Sequence, residues 1–263
     1  MEKLMQEQIR QLNSRVRDTP GYRLDFACGE EEIREVQRLR YQVFAAELGA
    51  RSSCRIPGHD SDLYDHYCEH LVVRAGTSQG IVGACRVLSP GAARQVGAYN
   101  AEGEFDLSSL ENLRPQMIEV GRSCIHPDHS SDAVVTLLWA ALAEYMVSRG
   151  CEHLIGCASI GMADGGHNAA NLFQQLSPAQ IAPIGFRVHP FDRLPYERLG
   201  NGAPVLMPPG IKSYLRAGAW VCSDLARNPG FNTAHMLLHL PLSRFNTGYA
   251  LPSDQRRTEW RWT

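Results

Sequence analysis

The residues of this chain whose types and spacing can do chemistry gather around one stretch, "MIEVGRSCIHPDH", Met117 to His129. It opens as an apolar strand, yet it carries Glu119 and Arg122 with Gly121 between them. In a regular strand, residues three apart point to opposite faces, so these two side chains would not meet. A bulge at Gly121 would insert one extra residue and bring both to one side. It would also bend the strand away from its successor, "EHLIGCASI" (152–160), leaving a gap edged by unpaired backbone N–H and C=O groups. Such a gap suits an extended, amide-bearing arm such as pantetheine. Cys124 and His126 share a strand face, the arrangement of a nucleophile and its base, but no third group orients the pair. His126 and His129 hint at a metal, yet Pro127 follows the first and no other ligand cluster is near, so no metal site is expected.

The elements that must position these residues belong to a chain of 263 residues, 44% hydrophobic, with a formal charge of −2. That length can bury one large core, and the near-neutral balance lacks the basic field of a nucleic-acid binder. No stretch reaches the ~20 apolar residues of a membrane span; the most hydrophobic run, "AVVTLLWAALAEYMV" (133–147), is shorter and contains Glu144. The N-terminus lacks the apolar centre and cleavage site of a signal peptide, so a cytoplasmic location is expected, with peripheral attachment to the inner membrane left open. The eight cysteines form no C-x-x-C pair and read as reduced, mostly buried small side chains.

Periodicity divides the chain into an N-terminal amphipathic helix (1–20), a single domain (21–250) and a basic, aromatic tail (251–263). "YRLDFAC" (22–28) alternates as a strand, and the acid-led 30–48 as a helix. "HLVVRAG" (70–76) and "GIVGACRVLSP" (80–90) read as strands around a short turn, followed by a glycine- and alanine-rich connection and the strand of Glu119. Ser130, Ser131 and Asp132 are candidate N-caps for a helix from Ala133 to Arg149, apolar nearly all round, with Gly150 as its stop. Beyond it, 170–176 reads as a short helix, "IGFRVHPF" (184–191) as a strand, "PPGIKSYLRAGAW" (208–220) as a helix into a turn, and "AHMLLHLPL" (234–242) as a last strand. The order predicts an α+β chain with a mixed sheet and helices on both faces.

A bulged central strand followed by a helix and a splayed strand resembles the working part of the GNAT superfamily. The resemblance implies a GNAT-like acyl-CoA N-acyltransferase fold, its splayed central strands flanked by helices. Four signals look like those of the acyl-homoserine-lactone synthases, a GNAT-like branch, and stand in the same order. They are Arg40 and Phe44 in "RYQVF", Asp62 and Asp65 in "DLYD", Arg86 in "GACRVL", and Glu119 with Arg122 in "EVGR". The wording "YDHYCEHLVVR", "EVGRSCIHPDH", "LLWAALAEYM" and "IKSYLRAGAW" resembles, over roughly 22–250, the L-ornithine Nα-acyltransferases of bacterial ornithine-lipid synthesis, often labelled hemolysin-like.

That resemblance implies a 3-hydroxyacyl-acyl carrier protein as donor through its phosphopantetheine arm, no tightly bound cofactor, and the α-amine of L-ornithine as acceptor. Where GNAT enzymes that use acetyl-CoA carry a glycine-rich turn for the pyrophosphate, this chain reads "HPDHSSDAVV", without a glycine and with Asp128 and Asp132. Such a turn fits the single phosphate of a carrier protein better than CoA, with Ser123, Cys124, Ile125, His126, Ser130 and Ser131 along the donor's path. Glu119 is the candidate base, its pKa raised by burial, or an ion-pair partner of Arg122 or Arg86. Asp62 and Asp65 either bind a cationic amino acid or pair with Arg40 and Arg86. Direct transfer is the usual GNAT route and takes precedence over an acyl-enzyme on Cys124. Two rivals stay open: the same donor with glycine, tyrosine or a homoserine-type acceptor, and a non-enzymatic, membrane-active protein.

Overall fold

Strands covered on both faces need apolar residues at every position, and the centre of this chain supplies them. A computed structural model describes residues 7–9, 11, 19–48, 56–76, 80–129 and 132–248, with backbone alone at 45–48. Strand β1 (Tyr22–Phe26) leads into helix α1 (Gly29–Leu48), whose first turn carries Glu30, Glu31 and Glu32 at the positive end of its dipole. Strands β2 (Glu69–Ala75) and β3 (Ile81–Leu88) are buried almost throughout. The connection that follows is more ordered than its composition suggests. Ser89 caps helix α2 (Pro90–Val96) by accepting the Ala92 amide at 3.1 Å. Two 3-10 turns, Asn100–Gly103 and Ser108–Gln116, then flank the short strand β4 (Phe105–Asp106).

Strand β5 (Met117–Ile125), helix α3 (Asp132–Arg149) and strand β6 (His153–Gly161) form the centre, as the sequence predicts. Helices α4 (His167–Gln174), α5 (Tyr196–Leu199) and α6 (Pro209–Ala217) follow, with strands β7 (His189–Pro190), β8 (Trp220–Val221), β9 (Ala226–Asn228) and β10 (Thr233–Pro241) among them. The main sheet runs β1-β2-β3-β5-β6-β10-β8, with β9 on the edge of β10. One expectation fails. "IGFRVHPF" forms a 3-10 turn at Ile184–Phe186, and only His189–Pro190 is strand, paired with β4. Pro190 has no N–H to give a ladder, and Ile184, 81% exposed, has no core to face.

Helix α3 packs on one face of the sheet, where Trp139 meets Tyr214 of α6 edge to face, ring centroids 4.9 Å apart. Helix α1 covers the other face, with Val36, Leu39 and Val43 against Val72, Ile81 and Ala84. Of the N-terminal helix, residues 7–9 and 11 are described and helical, and Ile9 is fully buried in the α3-side core. The tail (251–263) lies outside the described residues.

The central strand departs from regularity as its sequence predicts, one residue later than predicted. Along β3, Ala84 faces Cys124 and Arg86 faces Gly121, so Cys85 alone opposes Arg122 and Ser123. The extra residue is Arg122, in the left-handed region at φ 53°, a costly conformation for a side chain with Cβ. Gly121 does not adopt it. The parallel ladder between β5 and β6 pairs Met117 with His153, Ile118 with Leu154 and Glu119 with Ile155, then stops. Beyond Glu119 the strands splay. Gly156 sits at that fork, where a Cβ would press on the Tyr214 hydroxyl and stand 2.8 Å from the Val120 carbonyl oxygen.

Candidate active site

Glu119 is the last laddered residue before the fork, and it is 5% exposed. Its carboxylate is held by backbone amides: Asn100 N donates to Oε2 at 2.6 Å and Ala101 N to Oε1 at 2.9 Å. The loop that offers them is tied to the same strand, because the Tyr99 hydroxyl donates to the Met117 carbonyl at 2.6 Å. Glu102 closes the turn by accepting the Tyr99 amide at 2.6 Å and pairs with Arg114. Burial pushes the Glu119 carboxyl up to about 7, against the lowering pull of the Asn100 amide, the Arg86 charge and the Ala101 amide.

Beside it lies an ionic network on the α1 side of the sheet. Arg40, fully buried, grips both oxygens of Asp65 at 2.8 Å in a bidentate fork. Arg86 reaches the same carboxylate at 2.9 Å and also bonds Asp62. Arg122 touches Asp62 at 3.3 Å and Asp60 at 3.7 Å, and these acids hold the strained residue in place. Burial alone would raise the Asp65 carboxyl, but Arg40 and Arg86 overcome it and keep it well below the usual range. Asp62 is lowered likewise, Arg86 and Arg122 outweighing its burial.

The fork opens into a cavity of about 650 Å³. Its apolar wall includes Leu138, Trp139, Leu142, Ile160, Leu172 and Tyr214; its polar wall includes Arg86, Glu104, Glu119, Arg122 and His235. Ser123, Cys124 and Ile125 line it from β5, and Phe44 from α1. Arg40, Asp62 and Asp65 are not on its wall; they lie behind it, spent on one another and on Arg86. Of the two readings of the "DLYD" pair, the geometry matches ion pairing.

His126 leaves the strand towards solvent, and its Nδ1 accepts the Asp128 amide at 3.3 Å. Ser130 and Ser131 lie outside the described residues; Asp132 forms the first turn of α3. The Cys124 thiol is buried, and Burial pushes the Cys157 thiol well above its usual value. The polar wall also holds residues that no motif signals. Asn100 and Ala101 act through backbone amides, which any residue type supplies. Glu104 and His235, 131 positions apart, meet only in the fold, Oε2 to Nδ1 at 2.7 Å.

Comparison with known proteins bears on all of this. The family described as acetyltransferase (GNAT) domain matches residues 39–140. The L-ornithine N(alpha)-acyltransferase of Rhodobacter capsulatus is 33% identical over 236 residues, covering 83% of this chain and 89% of that protein. The enzyme of the same name from Agrobacterium fabrum is 32% identical over 233 residues, 82% and 80% of the two chains. Among solved structures, the AHL synthase LasI superposes with a TM-score of 0.48 at 16% identity, covering 89% of this chain and 98% of its own. This chain, an N-acyltransferase with a GNAT fold, belongs to the L-ornithine Nα-acyltransferase family.

Proposed function

We propose that the protein transfers a 3-hydroxyacyl group from acyl carrier protein to the α-amine of L-ornithine, by direct attack of the amine on the thioester. One observation carries the reading: a buried carboxyl with a pKa of about 7, Glu119, stands where a strand edge opens into a cavity with a largely apolar wall. The pantetheine arm runs along the β5 edge beyond Glu119, where the ladder to β6 has ended. The acyl chain fills the space along the apolar wall beside Trp139 and Tyr214. The α-ammonium gives a proton to Glu119, directly or through a water. The freed amine attacks the thioester carbonyl, the C–N bond forms as the C–S bond breaks, and the departing thiolate takes up the second proton that the attacking nitrogen gives up. Backbone N–H groups around Arg122 to Cys124 stabilise the oxyanion. Arg122 contributes through the bulge, its guanidinium anchored on Asp60 and Asp62.

A carrier-bound donor rather than CoA is favoured by the turn between β5 and α3. It is a 3-10 turn, Pro127–His129, without glycine and with Asp128 exposed at its centre, a poor cradle for a pyrophosphate. The product is an amphiphile, and Leu206, 93% exposed on the cavity rim, supports its passage from a cytoplasmic enzyme to a membrane surface. No described helix is long and apolar enough to cross a membrane. The test is a mass-spectrometric assay with 3-hydroxyacyl-acyl carrier protein and the twenty amino acids plus ornithine, with Glu119→Gln alongside. Nα-acyl-ornithine that collapses in the variant supports donor, acceptor and base together. Product from acyl-CoA alone would overturn the donor, and a different acyl amino acid the acceptor.

A further inference from the structure

Among the described residues, the polar wall of the cavity carries a carboxylate with no arginine or lysine against it. The side chain of Glu104 is 25% exposed, and a charge so far desolvated needs compensation. Its partners are an amide and an imidazole. Asn228 Nδ2 donates to Oε1 at 3.1 Å, and His235 Nδ1 donates to Oε2 at 2.7 Å. With Nδ1 assigned as the donor to Glu104, His235 Nε2 pairs with the Thr233 hydroxyl at 2.9 Å, so both ring nitrogens are held. Among the described residues, no arginine or lysine pairs with Glu104. The other acids on the wall are occupied. Asp60 faces Arg40 at 3.4 Å and Arg122 at 3.7 Å, while Asp164 accepts the Gly166 and Asn168 amides at 3.0 and 2.7 Å at the start of α4.

Glu104 also stands in a fixed relation to Glu119, because the turn whose amides grip Glu119 ends at Glu104. At a rise of about 2 Å per residue, that turn carries the chain about 6–8 Å from those amides to Glu104. Five single bonds, the separation of the α- and distal nitrogens of ornithine, span about 6 Å when extended. Cys157 of β6 lines the same cavity as both carboxylates, and its thiol is raised mainly by desolvation and then by Glu119 and Glu104.

We propose that Glu104, positioned by His235 and Asn228, binds the distal ammonium of a diamino acceptor and so selects a cationic amino acid over a neutral one. The assignment rests on the amine-acylation reading above. The test compares kcat/KM for L-ornithine and L-norvaline, which has the same carbon skeleton without the distal amine, in the full-length enzyme with acyl carrier protein donor. Both acceptors are measured on one preparation, so a partly unfolded variant loses both rates and keeps their ratio. In Glu104→Gln the ornithine-to-norvaline ratio falls by about ten- to a hundredfold, the worth of a hydrogen bond to a charged group. Glu104→Asp, which keeps the charge, retains part of the preference. A Glu104→Gln ratio equal to that of the wild type overturns the assignment alone. A wild-type enzyme that does not prefer ornithine overturns the acceptor reading, and the assignment with it.

Discussion

Replacing Glu119 by glutamine removes the proposed base while keeping the side chain's shape, and the structure sets the size of the effect. Raising a carboxyl from 4.5 to about 7 amounts to about 3 kcal/mol in favour of the neutral form. Glutamine relieves that cost of a buried charge, but its NH2 faces one of the two amides, which costs about 1–3 kcal/mol. The two nearly cancel, so the thermal midpoint at pH 8 stays close to that of the wild type. Activity does not. Loss of a positioned base costs about a hundred- to ten-thousandfold at pH 8. Below pH 7 the wild-type carboxylate protonates, and its rate falls about tenfold per pH unit. The ratio of wild-type to variant rate therefore shrinks about tenfold per unit from pH 7 to pH 5. Both enzymes meet the same acceptor, so the amine's own titration cancels. Steady-state rates with acyl carrier protein donor, measured from pH 5 to 9, read this directly. A rate ratio that stays constant with pH would refute Glu119 as the titrating base.

Asp65→Asn leaves fully buried Arg40 with Asp60 at 3.4 Å as its remaining acid; urea unfolding should lose about 3–5 kcal/mol. Because Asp65 is not on the cavity wall, the acceptor KM of the folded fraction should hold, and a large rise in KM at full stability would restore Asp65 to substrate binding. Gly156→Ala crowds the Tyr214 hydroxyl and the Val120 carbonyl at the fork; denaturant melts should show about 1–3 kcal/mol lost, with reduced activity, and a fully stable, fully active variant would contradict the close approach. His239, buried against His153 at 3.1 Å, is held at about 3 by burial and then by its neighbour. A depressed folded pKa means the unfolded chain takes up the proton first. Stability is therefore whole above pH 6.5 and falls by about 1.4 kcal/mol per unit below it; His239→Gln should flatten that slope in unfolding measured from pH 5 to 7.5, and an unchanged slope would clear the pair. Leu206→Gln should weaken co-sedimentation with anionic vesicles, and equal sedimentation would count against a membrane contact on the cavity rim.

The elements around the site were legible because their signals are local. The apolar runs of β2, β3 and α3, the acid-led start of α1 and the Glu–Gly–Arg interruption of β5 each state a constraint within a few residues. The splay was legible too, since an acid and a base inside an interior strand demand an irregularity. Its position was not: the glycine drew the bulge to Gly121, whereas Arg122 takes the left-handed conformation because Asp60 and Asp62, far away in sequence, hold its guanidinium. The "DLYD" spacing leaves pairing and substrate binding equally open, and only the reach of Arg40 and Arg86 separates them. Glu104 was invisible for the same reason, since nothing near residue 104 announces His235. "IGFRVHPF" misled through composition, its β-formers outweighing the glycine and proline that break it.

The short ladder between β5 and β6 makes the sheet two plates joined along a seam. One plate is β1-β2-β3-β5; the other is β6-β10-β8, welded along the whole of β10. The seam runs only from Met117 to Glu119, and α3 packs mainly on the β1-β2-β3 plate. When such a molecule breathes, it gapes first along its weakest join, and that join ends at the mouth of the cavity. Opening the aperture and loosening the fold are thus one mechanical coordinate. Mutations that stiffen the seam would steady the protein and narrow its door together.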